Sequence, residues 1–185
     1  MHSHTENRLL PNPPALTPTS RRLRAFGPAS IGNFGAGFDI LGAAIRPVEG
    51  PPLGDWVDVW ASPSSTFSCD GPFAHRLPSD PQDNLVLKAR AAYERQCGRR
   101  LPPLSLHLHK GLPVGSGLGS SSASVVATLV ALNAFLGDPF NAKDLLTMAG
   151  EAESHGCGAA HLDNVAPAAE RSPSLAMAAR ATPMP

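Results

Sequence analysis

The chain has 185 residues, of which 42% are hydrophobic, enough for one domain with its own core. The formal net charge is zero and aromatic residues are 5% of the chain, which argues against a surface for nucleic acids or anionic membranes. The three cysteines, Cys69, Cys97 and Cys157, form no C-x-x-C pair and predict reduced thiols rather than a disulfide framework or a zinc site. No stretch has the length of a transmembrane helix and no signal-peptide core is present, so we expect a soluble cytoplasmic protein.

The ends of the chain differ from its middle in composition. Many of the 20 prolines lie near the two ends. Residues 1–22 are polar and lack apolar periodicity, which predicts a disordered extension. Residues 168–185 are rich in Ala, Arg, Pro and Ser and are predicted to be a disordered tail. The folded domain is therefore expected over residues 23–167.

Two segments alternate between apolar and other residues, as strands do. Asp55–Ala61 places its valines on one face and its tryptophans on the other. Leu104–His109 places three leucines on one face, and His107 and His109 share the opposite face. Two such histidines can ligate a metal, but no third ligand lies close in sequence, and a half-solvated strand face is the favoured interpretation.

The first two predicted helices flank the second strand. One is capped by Asp83 or Asn84, runs to Gln96 and is followed by Gly98. The other, Ser120–Leu136, is apolar almost all round and is predicted to lie buried in the centre of the domain.

A third helix completes the pattern. It begins at Asn141, with Asp144 three residues later in a variant of the capping box, and ends at Gly156. The order of strands and helices predicts an α+β fold with helices packed on one face of a sheet.

The segment Lys110–Ser124, KGLPVGSGLGSSSAS, leads from the second strand into the buried helix. Gly115, Gly117 and Gly119 carry no side chains, which allows backbone N–H groups to approach an anion. The three serines that follow lie at a helix start, where free N–H groups and the helix dipole favour phosphate. These features predict a phosphate-binding loop.

Other glycine-rich motifs do not fit this segment. A P-loop needs Lys followed by Ser or Thr after the last glycine, and a dinucleotide-binding fingerprint needs glycine where Ser120 stands. The G-x-S-x-G elbow of hydrolases does not occur in it. A flexible linker is the remaining alternative, but the apolar helix that follows disfavours it.

Three motifs carry a resemblance to a known family. PVGSGLGSSSA at residues 113–123 resembles the central motif of the GHMP kinases, the superfamily of galactose, homoserine, mevalonate and phosphomevalonate kinases. PASIGNFGAGFDILG at residues 28–42 and HLDNVAP at residues 161–167 are similar to segments of homoserine kinases. The chain is thus identified as a member of that family over residues 23–167.

The resemblance implies roles for individual residues in the transfer of a phosphoryl group from ATP to the hydroxyl group of L-homoserine, in threonine biosynthesis. The implied ATP contacts are Asn84, Lys110, Pro113, Val114, Gly115, Ser116, Gly117, Leu118, Gly119, Ser120, Ser121, Ser122 and Ala123. The implied Mg²⁺ ligands are Ser121 and Glu151, and the implied homoserine contacts are Asn33, Asp39, His161, Asp163 and Asn164. Asp163 and Asn164 would also act in catalysis by orienting the substrate hydroxyl. Lys110 could equally be an ordinary lysine at a strand end.

The resemblance also implies a GHMP kinase N-terminal domain of the ribosomal protein S5 domain 2-like fold, with the family's ferredoxin-like C-terminal domain missing. We expect a homodimer as one form of assembly, and neither nucleic acid nor membrane as a partner. The tail after Pro167 departs from the family and suggests a shifted reading frame, so we expect little or no kinase activity from this chain alone. The alternatives are another GHMP kinase, such as a mevalonate-type kinase, a non-catalytic ATP-binding remnant, and a structural protein that binds no nucleotide.

Overall fold

The computed structural model describes residues 15–32 and 42–157. These residues form six strands and three α-helices, which confirms the predicted α+β class. In chain order they are β1 (Leu23–Pro28), β2 (Ser30–Ile31), β3 (Ala43–Ala44), β4 (Gly54–Ala61), β5 (Thr66–Asp70), α1 (Leu85–Cys97), β6 (Leu104–His109), α2 (Ser120–Phe135) and α3 (Ala142–Cys157).

The main sheet has four strands in the order β1-β4-β6-β5. β4 pairs antiparallel with both β1 and β6, whereas the edge strand β5 runs parallel to β6. β2 and β3 form a separate two-stranded ribbon. The two strands that the alternating pattern predicts are thus observed as β4 and β6, and the other four strands were not predicted.

One face of the sheet carries the hydrophobic core. Val57 and Val59 of β4 and Leu106 and Leu108 of β6 are fully buried on this face, where they join one core cluster with residues of all three helices. Every residue of α2 except two is buried, as expected for a helix that is apolar all round. Each fully buried Val or Leu contributes about 1.5–3 kcal/mol to folding. The core therefore fixes α2 against the sheet and, with it, the loop that precedes α2.

The opposite face of the sheet is polar and aromatic. Asp58 of β4 lies buried between Arg22 and Arg24, at 2.9 and 2.7 Å. His107 and His109 are half exposed and both contact one oxygen of Asp70 on β5. Within residues 15–32 and 42–157, no group of three His, Cys, Asp or Glu residues is arranged to hold a metal ion.

The predicted caps of α1 and the predicted cap at the start of α3 are confirmed, whereas α3 continues past the predicted end at Gly156 to Cys157. The Asn84 side chain accepts a hydrogen bond from the Val86 N–H at 3.0 Å, and Gly98 ends α1 in the left-handed conformation. Asn141 and Asp144 exchange two hydrogen bonds of 3.1 and 3.2 Å at the start of α3. Because these caps depend on local sequence alone, they could be read without knowledge of the fold.

Residues 15–22, which belong to the predicted disordered extension, include two residues that contact the end of α2. The N–H groups of Thr17 and Thr19 donate to the carbonyl groups of Leu136 and Phe135, each at 2.9 Å. These carbonyl groups lie at the end of α2, where a helix leaves acceptors without an internal partner. A long-range contact of this kind has no signature in local composition. Residues 1–14 and the predicted tail, residues 168–185, lie outside the described residues.

Candidate functional site

A cavity of about 700 Å³ opens beside the glycine-serine loop, at the start of α1 and α2. Its size is in the range of small-molecule sites. One wall is apolar and is formed by Leu77, Pro78 and Leu85, whereas the loop and the first turn of α2 supply polar groups. The lining residues are Gly32, Leu77, Pro78, Asp83, Asn84, Leu85, Lys110, Val114, Gly115, Ser116, Gly117, Gly119, Ser120, Ser121, Ser122 and Ser124.

Three glycines set the path of the loop. Gly115 and Gly117 have φ of +74° and Gly119 has φ of +61°, values that residues with a side chain rarely adopt. At Gly119 an added Cβ would lie 2.0 Å from Ser30 Oγ, so glycine is also required by the space available. The loop is further stabilised by Ser116, whose hydroxyl donates to the Pro113 carbonyl at 2.8 Å.

The loop ends at the N-terminus of α2, which faces the cavity. Gly119 is the N-cap residue and offers no side chain to the first N–H groups of the helix. The first turn of a helix leaves these donors without an internal acceptor and carries the positive end of the dipole. Ser120, Ser121 and Ser122 line the cavity at this point. The arrangement suits an anionic ligand such as phosphate.

The carboxylate beside these serines belongs to Glu153 of α3. Ser121 Oγ and Ser122 Oγ donate to its two oxygens, each at 3.2 Å, and Glu153 is fully buried. Glu151, which the resemblance implies as a Mg²⁺ ligand, is exposed and pairs with Arg95 at 3.4 Å. The structure thus places Glu151 on the exposed side of α3 and Glu153 beside Ser121 and Ser122. A shift of two residues along a helix turns a side chain by about 200°, to the other side of the helix.

Lys110 is buried and its ammonium group is fully engaged within the protein. It donates to Asp55 Oδ2, the Ser120 carbonyl and Ser124 Oγ at 2.5, 2.7 and 3.0 Å, which uses all three of its hydrogens. Burial lowers the pKa of Lys110, while the charges of Asp55 and Glu153 act in the opposite direction. The structure thus favours an internal, structural role over a direct contact with phosphate.

Most of the residues assigned to ATP by resemblance meet at this cavity. Three do not line it: Pro113, Leu118 and Ala123. Ala123 instead packs against Gly27, where an added Cβ would lie 1.9 Å from the Ala123 carbonyl oxygen. The residues assigned to homoserine, which are Asn33, Asp39, His161, Asp163 and Asn164, lie outside the described residues.

Two buried carboxylates were missed by the sequence reading, although each has a signal in the sequence. Glu153 follows Ala149 by four residues and therefore shares the apolar stripe of α3. Asp55 precedes Val57 by two residues, so strand alternation places it on the buried face of β4. Both positions show the same pattern: a charged residue stands where the periodicity of its helix or strand places apolar residues.

The chain is similar to known kinases. Residues 84–171 match the family described as GHMP kinases N terminal domain. A curated homoserine kinase of Buchnera aphidicola subsp. Acyrthosiphon pisum is 48% identical over 145 residues, which cover 78% of this chain and 47% of that protein. The chain thus spans about half the length of the curated relatives it matches.

Solved structures of kinases are also similar to the chain. The crystal structure of homoserine kinase from Cytophaga hutchinsonii has a TM-score of 0.71 and 36% identity, and the match covers 83% of this chain and 47% of that one. Mevalonate kinase from Staphylococcus aureus MRSA252 has a TM-score of 0.57 at 20% identity, covering 81% of this chain and 50% of that one, and shows the shared fold alone. Among the described residues, no helix is long and apolar enough to cross a membrane.

Proposed function

The chain belongs to the GHMP kinases through their N-terminal domain, and on this basis we propose that it is the nucleotide-binding half of a homoserine kinase. The reaction would transfer the γ-phosphoryl group of ATP to the hydroxyl group of L-homoserine. The observation that carries the proposal is the cavity lined by the glycine-serine loop and the N-terminus of α2, where Ser121 and Ser122 also donate to the buried carboxylate of Glu153. Phosphoryl transfer depends chiefly on positioning and on neutralising charge, and these groups supply both.

The triphosphate would bind against the glycine-serine loop and the first turn of α2. Gly115, Gly117 and Gly119 leave the backbone accessible from the cavity, and the helix dipole adds positive potential there. The nucleoside would lie along the apolar wall formed by Leu77, Pro78 and Leu85. Asn84 also lines this part of the cavity. Its Oδ1 caps α1, so its amide NH₂ group is the side-chain donor it offers to the nucleotide.

The residues present fit a Mg²⁺ ion. Mg²⁺ is usually held by one or two carboxylates together with the phosphates of the substrate, and it prefers oxygen ligands. Ser121 lines the cavity at the N-terminus of α2, and its hydroxyl lies 3.2 Å from the carboxylate of Glu153. We assign the ion to Ser121 and Glu153, in place of Ser121 and Glu151. When bound, Mg²⁺ supplies neutralisation of the phosphate charge.

Homoserine is favoured as the acceptor over the other substrates of the superfamily. Sequence identity is 36% with the homoserine kinase structure but 20% with the mevalonate kinase structure. The implied substrate contacts, Asn33, Asp39, His161, Asp163 and Asn164, all lie within this chain. The carboxylates of Asp39 and Asp163 suit the ammonium group of homoserine, which mevalonate and galactose lack.

Binding of the acceptor tests the proposal. The purified chain, saturated with Mg²⁺ and a non-hydrolysable ATP analogue, is titrated with L-homoserine, mevalonate and galactose in separate calorimetric experiments. Saturable binding of homoserine alone, weakened in Asp163→Asn, is the expected result. Binding of mevalonate or galactose but not homoserine would assign the chain to another kinase of the superfamily. Binding of the nucleotide without any acceptor would favour a non-catalytic nucleotide-binding role.

A further inference from the structure

A buried network of charged and polar groups lies directly beneath the glycine-serine loop. Asp55, at the start of β4, is fully buried, and Lys110, just after β6, is 2% exposed. Their ion pair joins two neighbouring strands at the point where the loop departs. Ser124 of α2 completes the network by donating to Asp55 Oδ2 at 2.6 Å.

The Asp55 carboxylate contacts both ends of the loop. Its Oδ1 accepts from the N–H groups of Gly111 and Leu112 at 2.9 and 3.0 Å, where the chain enters the loop. Its Oδ2 accepts from Ser124 of α2, where the chain leaves the loop, and from Lys110, where the chain enters it. One carboxylate thus receives four hydrogen bonds, all from groups that flank the loop.

Lys110 extends the same link to the first turn of α2. Its ammonium group donates to the Ser120 carbonyl and to Ser124 Oγ, so it holds the turn whose N–H groups line the cavity. Ser120 in turn donates to the Leu112 carbonyl at 3.3 Å. The two ends of the loop are therefore tied to each other through side chains as well as through the backbone.

We propose that Asp55 is a positioning residue for phosphate binding. Acting through Lys110 and Ser124, it fixes the distance between the two ends of the loop and the orientation of the first turn of α2. The carboxylate is enclosed by its four donors and lies beneath the loop, so this action is indirect. The inference rests on the proposed function, because it assumes that the phosphates of ATP bind at this loop.

A buried ion pair can also contribute only to the stability of the fold. A stabilising role and a positioning role have different effects on ligand binding. Loss of stability lowers the fraction of folded protein and affects every ligand of the cavity equally. Loss of loop geometry weakens the contacts of the phosphates and spares those of the nucleoside at the apolar wall. The comparison of ATP with adenosine therefore separates the two roles.

The experiment measures Kd for Mg·ATP and Kd for adenosine in the unaltered chain, in Asp55→Asn and in Asp58→Asn. The temperature is one at which thermal unfolding curves show that all three proteins are folded. Asp58 is a matched control, since it is a second buried aspartate of β4 with two arginine partners on the opposite face of the sheet. Asp55→Asn is expected to raise Kd for Mg·ATP about tenfold, as for the loss of one charge-assisted hydrogen bond, and to leave Kd for adenosine unchanged. Asp58→Asn is expected to change neither Kd.

Two results overturn the inference: an unchanged Kd for Mg·ATP in folded Asp55→Asn, or an equal rise in Kd for ATP and adenosine. If Asp55→Asn does not fold, Ser124→Ala decides, because it removes one hydroxyl from the network and leaves the ion pair in place; the same selective loss of ATP binding is expected. Failure of the unaltered chain to bind Mg·ATP refutes the proposed function itself, whereas binding that is insensitive to both variants refutes only the positioning role.

Discussion

Ser121 and Glu153 lie on different helices, and the hydroxyl of Ser121 donates to Glu153 Oε2 at 3.2 Å. α3 thus delivers a buried carboxylate to the N-terminus of α2, where the helix dipole is positive. Ser122 donates to the other oxygen of the same carboxylate, which holds it in one orientation. This relationship joins the glycine-serine loop to the carboxylate that we propose as a Mg²⁺ ligand.

Glu153→Gln is expected to weaken the effect of Mg²⁺ on ATP binding. The amide keeps an acceptor for one serine but loses the negative charge that Mg²⁺ requires, so Kd for Mg²⁺ in the presence of ATP should rise about tenfold or more. The control is Glu151→Gln, which removes an exposed ion pair with Arg95 worth about 0–1 kcal/mol. An equal loss of Mg²⁺ affinity in both variants would contradict the assignment of Glu153.

Gly119→Ala is expected to lower the free energy of unfolding by about 2–4 kcal/mol. This value is the sum of the cost of a left-handed backbone conformation for alanine and the cost of a steric clash. The added Cβ would meet Ser30 Oγ at 2.0 Å. Gly115→Ala is the matched control, since Gly115 has φ of +74° but nothing within 4 Å of its Cβ position. It should cost only about 1 kcal/mol for the backbone. Urea denaturation measures both values, and similar losses in the two variants would show that the contact with Ser30 is absent.

Stability should fall in acid through Asp58. Burial raises the pKa of this carboxyl, but hydrogen bonds and charges from Arg24 and Arg22 outweigh burial and hold the pKa below its ordinary value. A lowered pKa contributes stability above about pH 4, the pKa of aspartate in an unfolded chain, and this contribution is lost as the pH falls through the lower value of the folded state. Asp58→Asn should therefore be less stable than the unaltered chain at pH 7, and the difference should shrink below about pH 4. A difference that stays constant down to pH 2 would be inconsistent with this pairing.

The two cysteines whose side chains the structure describes should differ in reactivity. Cys69 is exposed on the edge strand β5, whereas burial raises the pKa of Cys97 to about 11. Because the thiolate is the reactive form, a thiol reagent at pH 8 should modify Cys69 rapidly and Cys97 only on unfolding. Mass spectrometry of peptides after brief labelling distinguishes the sites. Rapid modification of Cys97 in the native protein would show that α1 does not pack as described.

Local patterns predicted the parts of the fold that depend on neighbouring residues. Alternation of apolar and other residues predicted β4 and β6, and capping residues such as Asn84 helped to predict the helices. Both signals depend on residues that are close in sequence. β1 and β5 were missed because their short segments carry no clear alternation and are held by pairing with β4 and β6. Thr17 contacts Leu136, which is far from it in the sequence, so no local pattern predicts this contact.

The site was predicted in part for the same reason. The glycine-serine loop is continuous in sequence, so its residues could be read directly. Asp55 and Glu153 reach the loop from β4 and α3, and only the packing of these elements shows that they meet it. The resemblance implies Glu151 as a metal ligand, whereas the apolar stripe through Ala149 and Ala152 predicts that Glu153 is the buried carboxylate.

Calorimetric titration of the purified chain with ATP, in the presence and absence of Mg²⁺, tests the central claim most directly. The account predicts one ATP per chain, with binding that is strengthened by Mg²⁺ and is much tighter than that of adenosine, because the phosphates contribute most of the contacts. Failure to bind ATP, or binding of adenosine as tight as that of ATP and indifferent to Mg²⁺, would contradict a phosphate site at the glycine-serine loop.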